Sequence, residues 1–407
     1  MTSLVLALAL GAGTTLTLDE ALQLARQNPQ IAQAQGLVTQ AQGQVGVARA
    51  GFLPTATATA NVAGTTLNPG PQPSSTFYPL YGANITLIQT IWDFGRTLGA
   101  YQAARDQELA SKANVDATWQ GVELSVRTAY YTVLGYEAAV NVARQTVDSF
   151  QKALDLAQGG FDVGTRPRSD VAKAKSDLDA ATYSLLQAQT AVIQSRVTLS
   201  QVVARDIGDS KLVLPELPPS GQPDATDEYQ KALKNRPDLR AAELQLAAAG
   251  ENLDAAKSAW FPILGAQGTV RWAGSDTPLV NNYTITGTLT WNFLNGGADL
   301  GRVDVNRGQV QQAQAQRDLL LLQVRADVDS AVAGVIQSSA QRESAKSAAA
   351  SAKEALELQQ GRYQAGLGTI LDLSNAQSQY ADGQLKVVSA NFDLATAWAR
   401  LKKATGQ

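Results

Sequence analysis

A long internal duplication constrains this chain more than any other feature. Arg49-Ala50-Gly51-Phe52-Leu53-Pro54 recurs as Lys257-Ser258-Ala259-Trp260-Phe261-Pro262, and Asn28-Pro29 recurs as Arg236-Pro237. Trp92-Asp93-Phe94 matches Trp291-Asn292-Phe293, with a shorter connection in the second copy. Phe161-Asp162-Val163-Gly164 matches Tyr363-Gln364-Ala365-Gly366, and Ser169-Asp170-Val171 matches Leu371-Asp372-Leu373. The landmarks keep their order through two halves of about 200 residues, a period too long for a solenoid, so the chain is two copies of one architecture.

Proline placement shows where helices can run. No proline lies between Leu80 and Arg166, and none follows Pro278. An interior proline removes a hydrogen bond and costs about 3 kcal/mol, so these gaps permit very long helices. The stretch 97–160 is expected to be one helix, roughly 95 Å at 1.5 Å per residue, with 298–362 as its counterpart. Val122, Val126, Ala129, Val133, Tyr136, Val140, Ala143, Val147, Phe150, Leu154, Ala157 and Phe161 alternate spacings of four and three, the seam of helices that supercoil together. The second copy keeps Val324, Val328, Ala331, Val335, Ala345, Ala349, Ala352 and Leu356, interrupted by Ser338 and Arg342. A plain coiled-coil rod accounts for this pattern equally well.

The segments after the Pro54 and Pro262 landmarks read differently. Thr55, Thr57, Thr59 and Asn61 alternate with Ala56, Ala58, Ala60 and Val62. Ala83, Ile85, Leu87 and Ile91 alternate with Asn84, Thr86 and Thr90. Leu264, Ala266, Val270 and Trp272 oppose Gln267, Thr269 and Arg271, and Tyr283, Ile285, Leu289, Trp291 and Phe293 oppose Thr284, Thr286, Thr288 and Thr290. These are period-two strands of about 9–11 residues, the length of a tilted bilayer-spanning strand. Tyr81, Trp92, Trp272, Tyr283 and Trp291 stand near the strand ends, where an aromatic membrane-interface girdle belongs. A soluble hairpin capping a helical bundle is the competing reading.

No segment past the N-terminus approaches the ~18–20 apolar residues of a membrane helix, so a membrane crossing here requires strands. Four strands cannot close alone, because each unpaired backbone group in hydrocarbon costs several kcal/mol. Two chains give eight strands and three give twelve; four long helical segments per chain favour the wider ring, so a homotrimer is expected.

Composition removes the common enzyme routes. The 407-residue chain has no cysteine and no histidine, which excludes disulfides, thiol nucleophiles, histidine triads and the usual zinc sites. Its net charge of −3 fits no nucleic-acid groove. No paired-carboxylate motif supports a glycosidase, so no enzyme activity, metal or cofactor is expected. Met1 to Gly13 has a short apolar core before small residues and resembles an export signal without its positive start; a hydrophobic N-terminal extension is the alternative.

In this order and twice over, the motifs resemble those of the outer-membrane efflux proteins, the TolC-like channel-tunnels. Leu18-Asp19-Glu20-Ala21-Leu22-Gln23-Leu24-Ala25-Arg26-Gln27-Asn28-Pro29 is similar to the family's first-helix motif. Gln89 to Arg96 and Trp291 to Gly297 resemble its strand-to-helix junction, and Phe161 to Arg166 and Tyr363 to Thr369 its two hairpin tips. The resemblance implies a mixed α and transmembrane β fold. Long coiled-coil helices form a periplasmic tunnel, and four strands per chain enter a trimeric twelve-stranded barrel in the outer membrane. It implies a passive exit duct of a tripartite efflux or type I secretion system, opened by a periplasmic adaptor (membrane fusion) protein on an inner-membrane pump of RND or ABC type. A soluble or surface coiled-coil filament is the alternative.

By the same resemblance, the pore constriction and gate fall on Asp170, Asp372, Tyr363, Arg166 and Asn375. Asn375 stands where a second acidic residue can occur, and Gly368 stands in the second copy at the position of Arg166. Arg166 is expected to pair with a neighbouring Asp; otherwise Asp170 is a helix N-cap and Arg166 a solvated turn residue. Gly164, Thr165, Gly366, Leu367, Gly368 and Thr369 form the turns expected to dock the adaptor. The expected organisation is a signal or extension over 1–15, a first repeat over 16–210, a Pro-rich linker over 211–224 and a second repeat over 225–407.

Overall fold

The proline-free stretches are helical, in a computed structural model that describes residues 15–66, 77–275 and 278–407. The expected N-terminal leader lies outside the described residues except for Thr15. In chain order the elements are β1 (Thr15–Leu16), α1 (Leu18–Ala25), α2 (Pro29–Ala50), β2 (Thr55–Thr66), β3 (Phe77–Trp92), α3 (Arg96–Asp162) and α4 (Arg168–Val203). Then come β4 (Lys211–Leu212), α5 (Ala225–Asn235), α6 (Pro237–Lys257), β5 (Ile263–Gly274), β6 (Val280–Thr290), α7 (Ala298–Gln364) and α8 (Ile370–Ala404), with a 3₁₀ turn at Ser258–Trp260. α3 and α7 have 67 residues each, slightly longer than the spans expected.

Two compact units draw on both repeats: one from residues 15–33, 115–237 and 321–407, the other from 34–114 and 238–320. In the first, the heptad seam is largely buried: Val122, Val126, Val133, Val140, Phe150, Ala157, Val324, Val328 and Val335. Tyr136 and Phe161 are exposed instead, and Val142 and Ala153 are buried, because a 3.6-residue helix drifts off a 3.5-residue repeat. The interruption at Arg342 has a purpose. Its guanidinium donates to Pro218 O at 3.2 Å and Ser220 Oγ at 2.9 Å, holding the inter-repeat linker. That linker is not featureless: β4 pairs in parallel with β1.

In the second unit, β2-β3-β5-β6 form one antiparallel sheet in that order. A cross-strand row aligns Thr57, Thr86, Thr269 and Thr284 on one face; another aligns Ala58, Ile85, Val270 and Tyr283 on the other. The alternation therefore survives pairing, leaving a polar face and an apolar face. Two strand expectations need correction. β6 ends at Thr290, so Trp291 and Phe293 lie beyond it, and Trp291 Nε1 donates to Trp260 O at 3.0 Å. A bulge between Thr90 and Trp92 takes Ile91 out of register, and β3 runs to 16 residues.

Candidate functional site: the helix-hairpin tips

The two helical hairpins turn with one local design. Gly164 has φ +75° and Gly366 φ +76°, the left-handed conformation that ends a helix and that glycine adopts without strain. Thr165 N and Arg166 N donate to Gly160 O, as Leu367 N and Gly368 N donate to Arg362 O. Val163 and Leu367 are exposed at the tips.

The tips then diverge in side chains. Tyr363, on the last turn of α7, is 2% exposed and packs with Ala153, Ala157, Ala174, Ile370 and Leu373. Arg166 reaches it from the other repeat. Its guanidinium lies 4.1 Å from the Tyr363 ring centroid and donates to Tyr363 O at 2.5 Å and Gly368 O at 3.3 Å. Arg166 is thus no solvated turn residue, and within the chain its partners are carbonyls rather than the expected Asp. Burial pushes the Tyr363 phenol above its ordinary pKa; the Arg166 charge opposes that rise and the Asp170 charge adds to it. The Tyr363 hydroxyl is buried without a hydrogen-bond partner among the described residues.

The carboxylates take different parts. Asp170 is not the N-cap of α4: Pro167 holds that position without a side-chain bond, and Asp170 sits half-buried in the first turn. Negative charge is favoured there by the helix dipole. It is Asp372 that enters a cap. Thr369 is the N-cap of α8, its hydroxyl accepting from Asp372 N at 3.2 Å while Asp372 Oδ2 accepts from Thr369 Oγ1 at 2.7 Å. The hydroxyl and backbone N–H of Thr369 hold the Asp372 carboxyl below the usual carboxylate range. Asn375 is exposed one turn further along α8. Arg166, Tyr363, Gly368 and Asp170 are thus drawn together, while Asp372 and Asn375 face outward.

Sequence reasoning missed a second set of bonds between the repeats. Lys173 Nζ lies 2.5 Å from Asp177 Oδ1, and Ser374 Oγ donates to Asp177 Oδ2 at 2.7 Å. Gln377 Nε2 donates to Ser149 O at 3.0 Å and Ser149 Oγ at 2.9 Å. The available signal was two polar residues, Ser374 and Gln377, within the buried seam of Ile370, Leu373 and Ala376. These bonds join α8 to the first repeat, and no metal-binding cluster occurs among the described residues.

At the sheet, Tyr81, Trp272 and Tyr283 lie toward the hairpin-loop ends, with Trp92 and Trp291 at the helix-proximal end. Tyr81, Trp92, Tyr283 and Trp291 are exposed, as are Ile85, Leu87 and Leu289, and Ile285 is 90% exposed.

Comparison with known proteins gives a consistent picture. Residues 20–205 and 229–407 match the family described as outer membrane efflux protein. Over 372 residues the chain is 25% identical to the outer membrane efflux protein BepC of Brucella suis biovar 1, covering 89% of this chain and 79% of that protein. It is 24% identical over 328 residues to the toluene efflux pump outer membrane protein TtgC of Pseudomonas putida, covering 77% of this chain and 66% of that one. The crystal structure of CusC shares the fold with a TM-score of 0.87 at 18% identity, covering 98% of this chain and 95% of that one.

Proposed function

The chain belongs to the outer membrane efflux protein family, and on that footing we propose that it is the passive outer-membrane exit duct of a tripartite efflux or type I secretion system. An adaptor–pump complex opens it at its periplasmic mouth. The family is one of ducts rather than enzymes, and efflux stands in the names of BepC and TtgC.

One observation carries the reading. The four-stranded sheet is polar on one face and apolar and exposed on the other, and its outer strands, β2 and β6, each have one edge unpaired among the described residues. In lipid such edges are tolerated only if other strands close them. Three copies place twelve strands in one barrel, with the threonine rows facing a water-filled lumen and Ile285, Leu289 and Tyr283 facing hydrocarbon. Tyr81, Trp92, Trp272, Tyr283 and Trp291 then serve as interface anchors. A soluble coiled-coil filament would leave the same apolar face in water, and is not favoured.

The helical hairpins form the tunnel and their tips its mouth. Arg166 and Tyr363 hold the tip of the second repeat against the first, and Asp170, Asp372 and Asn375 line the constriction. Gly164, Thr165, Gly366, Leu367, Gly368 and Thr369 present the exposed turns to a periplasmic adaptor bound to an RND or ABC pump. The test is direct. The detergent-extracted protein should come from the outer-membrane fraction and image as a particle with threefold symmetry; a water-soluble monomer would overturn the proposal.

A further inference from the structure

The strands of the sheet are almost free of charge. β2, β3, β5 and β6 contain no Asp, Glu or Lys, and Arg271 of β5 is their only charged residue. A charge on a strand that crosses a bilayer is costly where it meets lipid and is accommodated where it meets a lumen.

The register shows which face carries it. Asn84 of β3 and Asn282 of β6 are the cross-strand partners of Arg271, and Thr59 of β2 is the partner of Asn84. This row lies two residues along from Thr57, Thr86, Thr269 and Thr284, so it shares their polar face, while the adjacent Trp272 takes the apolar one. Arg271 is exposed there, three residues short of Gly274 at the loop end of β5, or about 10 Å at 3.3 Å per residue.

Its neighbours offer hydrogen-bond donors and no carboxylate. Thr59 Oγ1 donates to Asn84 Oδ1 at 2.5 Å, which engages the amide oxygen of the row. Asn84 Nδ2 donates to Thr86 Oγ1 at 3.3 Å and keeps a second N–H. Beside these stands a guanidinium, whose planar fork matches the paired oxygens of a phosphate or a carboxylate.

We infer that Arg271 forms an oxyanion site in the barrel lumen and biases the duct toward solutes bearing phosphate or carboxylate groups. The inference rests on the barrel reading above and adds the class of solute. Three copies repeat the arginine three times on the lumenal face with no acid in the strands to balance it. A ring of arginines is an arrangement by which pores favour anions, and low-dielectric walls around water focus its field. Its sign is opposite to that of Asp170 and Asp372, so it is a selecting element separate from theirs.

The experiment uses the full chain in planar bilayers at 0.1 M KCl, with inorganic pyrophosphate added on the side of the hairpin loops. Pyrophosphate should reduce the wild-type current, and the half-blocking concentration should rise about tenfold or more in Arg271→Gln. Arg271→Lys should lie between the two, since an ammonium keeps the charge and loses the fork. Raising the salt to 1 M shortens the Debye length from about 10 Å to about 3 Å and should weaken the wild-type block. Asp170 and Asp372 are intact in every variant, so a difference belongs to Arg271. Channels with the same half-blocking concentration in wild type and Arg271→Gln overturn the site and leave the duct reading standing. A block that appears only in Asp276→Asn, which removes the acid of the β5–β6 loop, means that the arginine is neutralised and rejects the site as well. Protein that forms no conducting channel defeats the duct reading and the site with it.

Discussion

Arg166 of the first repeat covers the ring of Tyr363 in the second at 4.1 Å and donates to the same residue's carbonyl oxygen. One side chain thereby ties the end of α7 to the turn between α3 and α4. The cation–π contact and the charged hydrogen bonds stabilise this arrangement by about 2–4 kcal/mol together, a size that adaptor binding can offset. Arg166→Ala should raise single-channel conductance in planar bilayers and shorten closed intervals. Arg166→Lys should fall between, since an ammonium cannot bridge two carbonyls with a planar fork. Wild-type conductance in Arg166→Ala would remove this residue from the gate.

Asp170 and Asp372 predict unequal effects on ion selectivity. A threefold ring of carboxylates in a narrow mouth attracts cations and repels anions. Asp170 has no capping bond to satisfy, whereas Asp372 is engaged by Thr369. Asp170→Ala should therefore lower the cation/anion permeability ratio more than Asp372→Ala, with assembly unchanged in both. Equal ratios in wild type and both variants would count against a constriction here.

The Thr369–Asp372 box predicts an acid-sensitive second tip. Hydrogen bonds from Thr369 depress the folded-state pKa of Asp372 below the unfolded value of about 3.9. The associated stability is present above that value and is lost as pH falls through the folded-state pKa. Thr369→Ala removes an N-cap worth about 1 kcal/mol. The protection of the first turn of α8, taken relative to the intrinsic exchange rate at each pH, should fall as pH drops below about 4 in the wild type, and show a weaker pH response in Thr369→Ala. Identical profiles would dismiss the box as a stabilising element.

Tyr130 anchors the junction of the two short strands. Its hydroxyl donates to Leu16 O or Val213 O, at 2.8 and 2.7 Å, and accepts from Val213 N at 3.1 Å. Burial pushes its pKa up to about 12, above the unfolded value of about 10. The sign is opposite to the carboxylate case: this stability is full below pH ~10 and is lost as pH rises toward the folded value. Tyr130→Phe should cost about 1–3 kcal/mol by stranding buried backbone groups, and should blunt alkaline unfolding. Denaturant midpoints at pH 8 and pH 11 decide it; the same difference between them in both proteins would refute the assignment.

Much of the architecture was legible because it is written in one dimension. The proline gaps and the four-three spacing marked α3 and α7 to within a few residues, and the threonine alternation marked the sheet faces. Where the sequence misled, the cause was local geometry. The bulge near Ile91 and the end of β6 at Thr290 depend on which backbone pairs across the sheet. The box at Thr369 was readable from a Thr and an Asp three apart, yet Asp170 had drawn the cap assignment because the repeats look alike.

The amino-acid order alone determined the duplication, the helix and strand periods and the insufficiency of four strands, since each follows from spacing along the chain. Only the tertiary structure decided that Arg166 meets Tyr363 and that Lys173, Asp177 and Ser374 interlock. Periodicity states which face of a helix is apolar. It cannot state which residue about 200 positions away will cover that face, because contact is a property of packed surfaces and not of sequence distance.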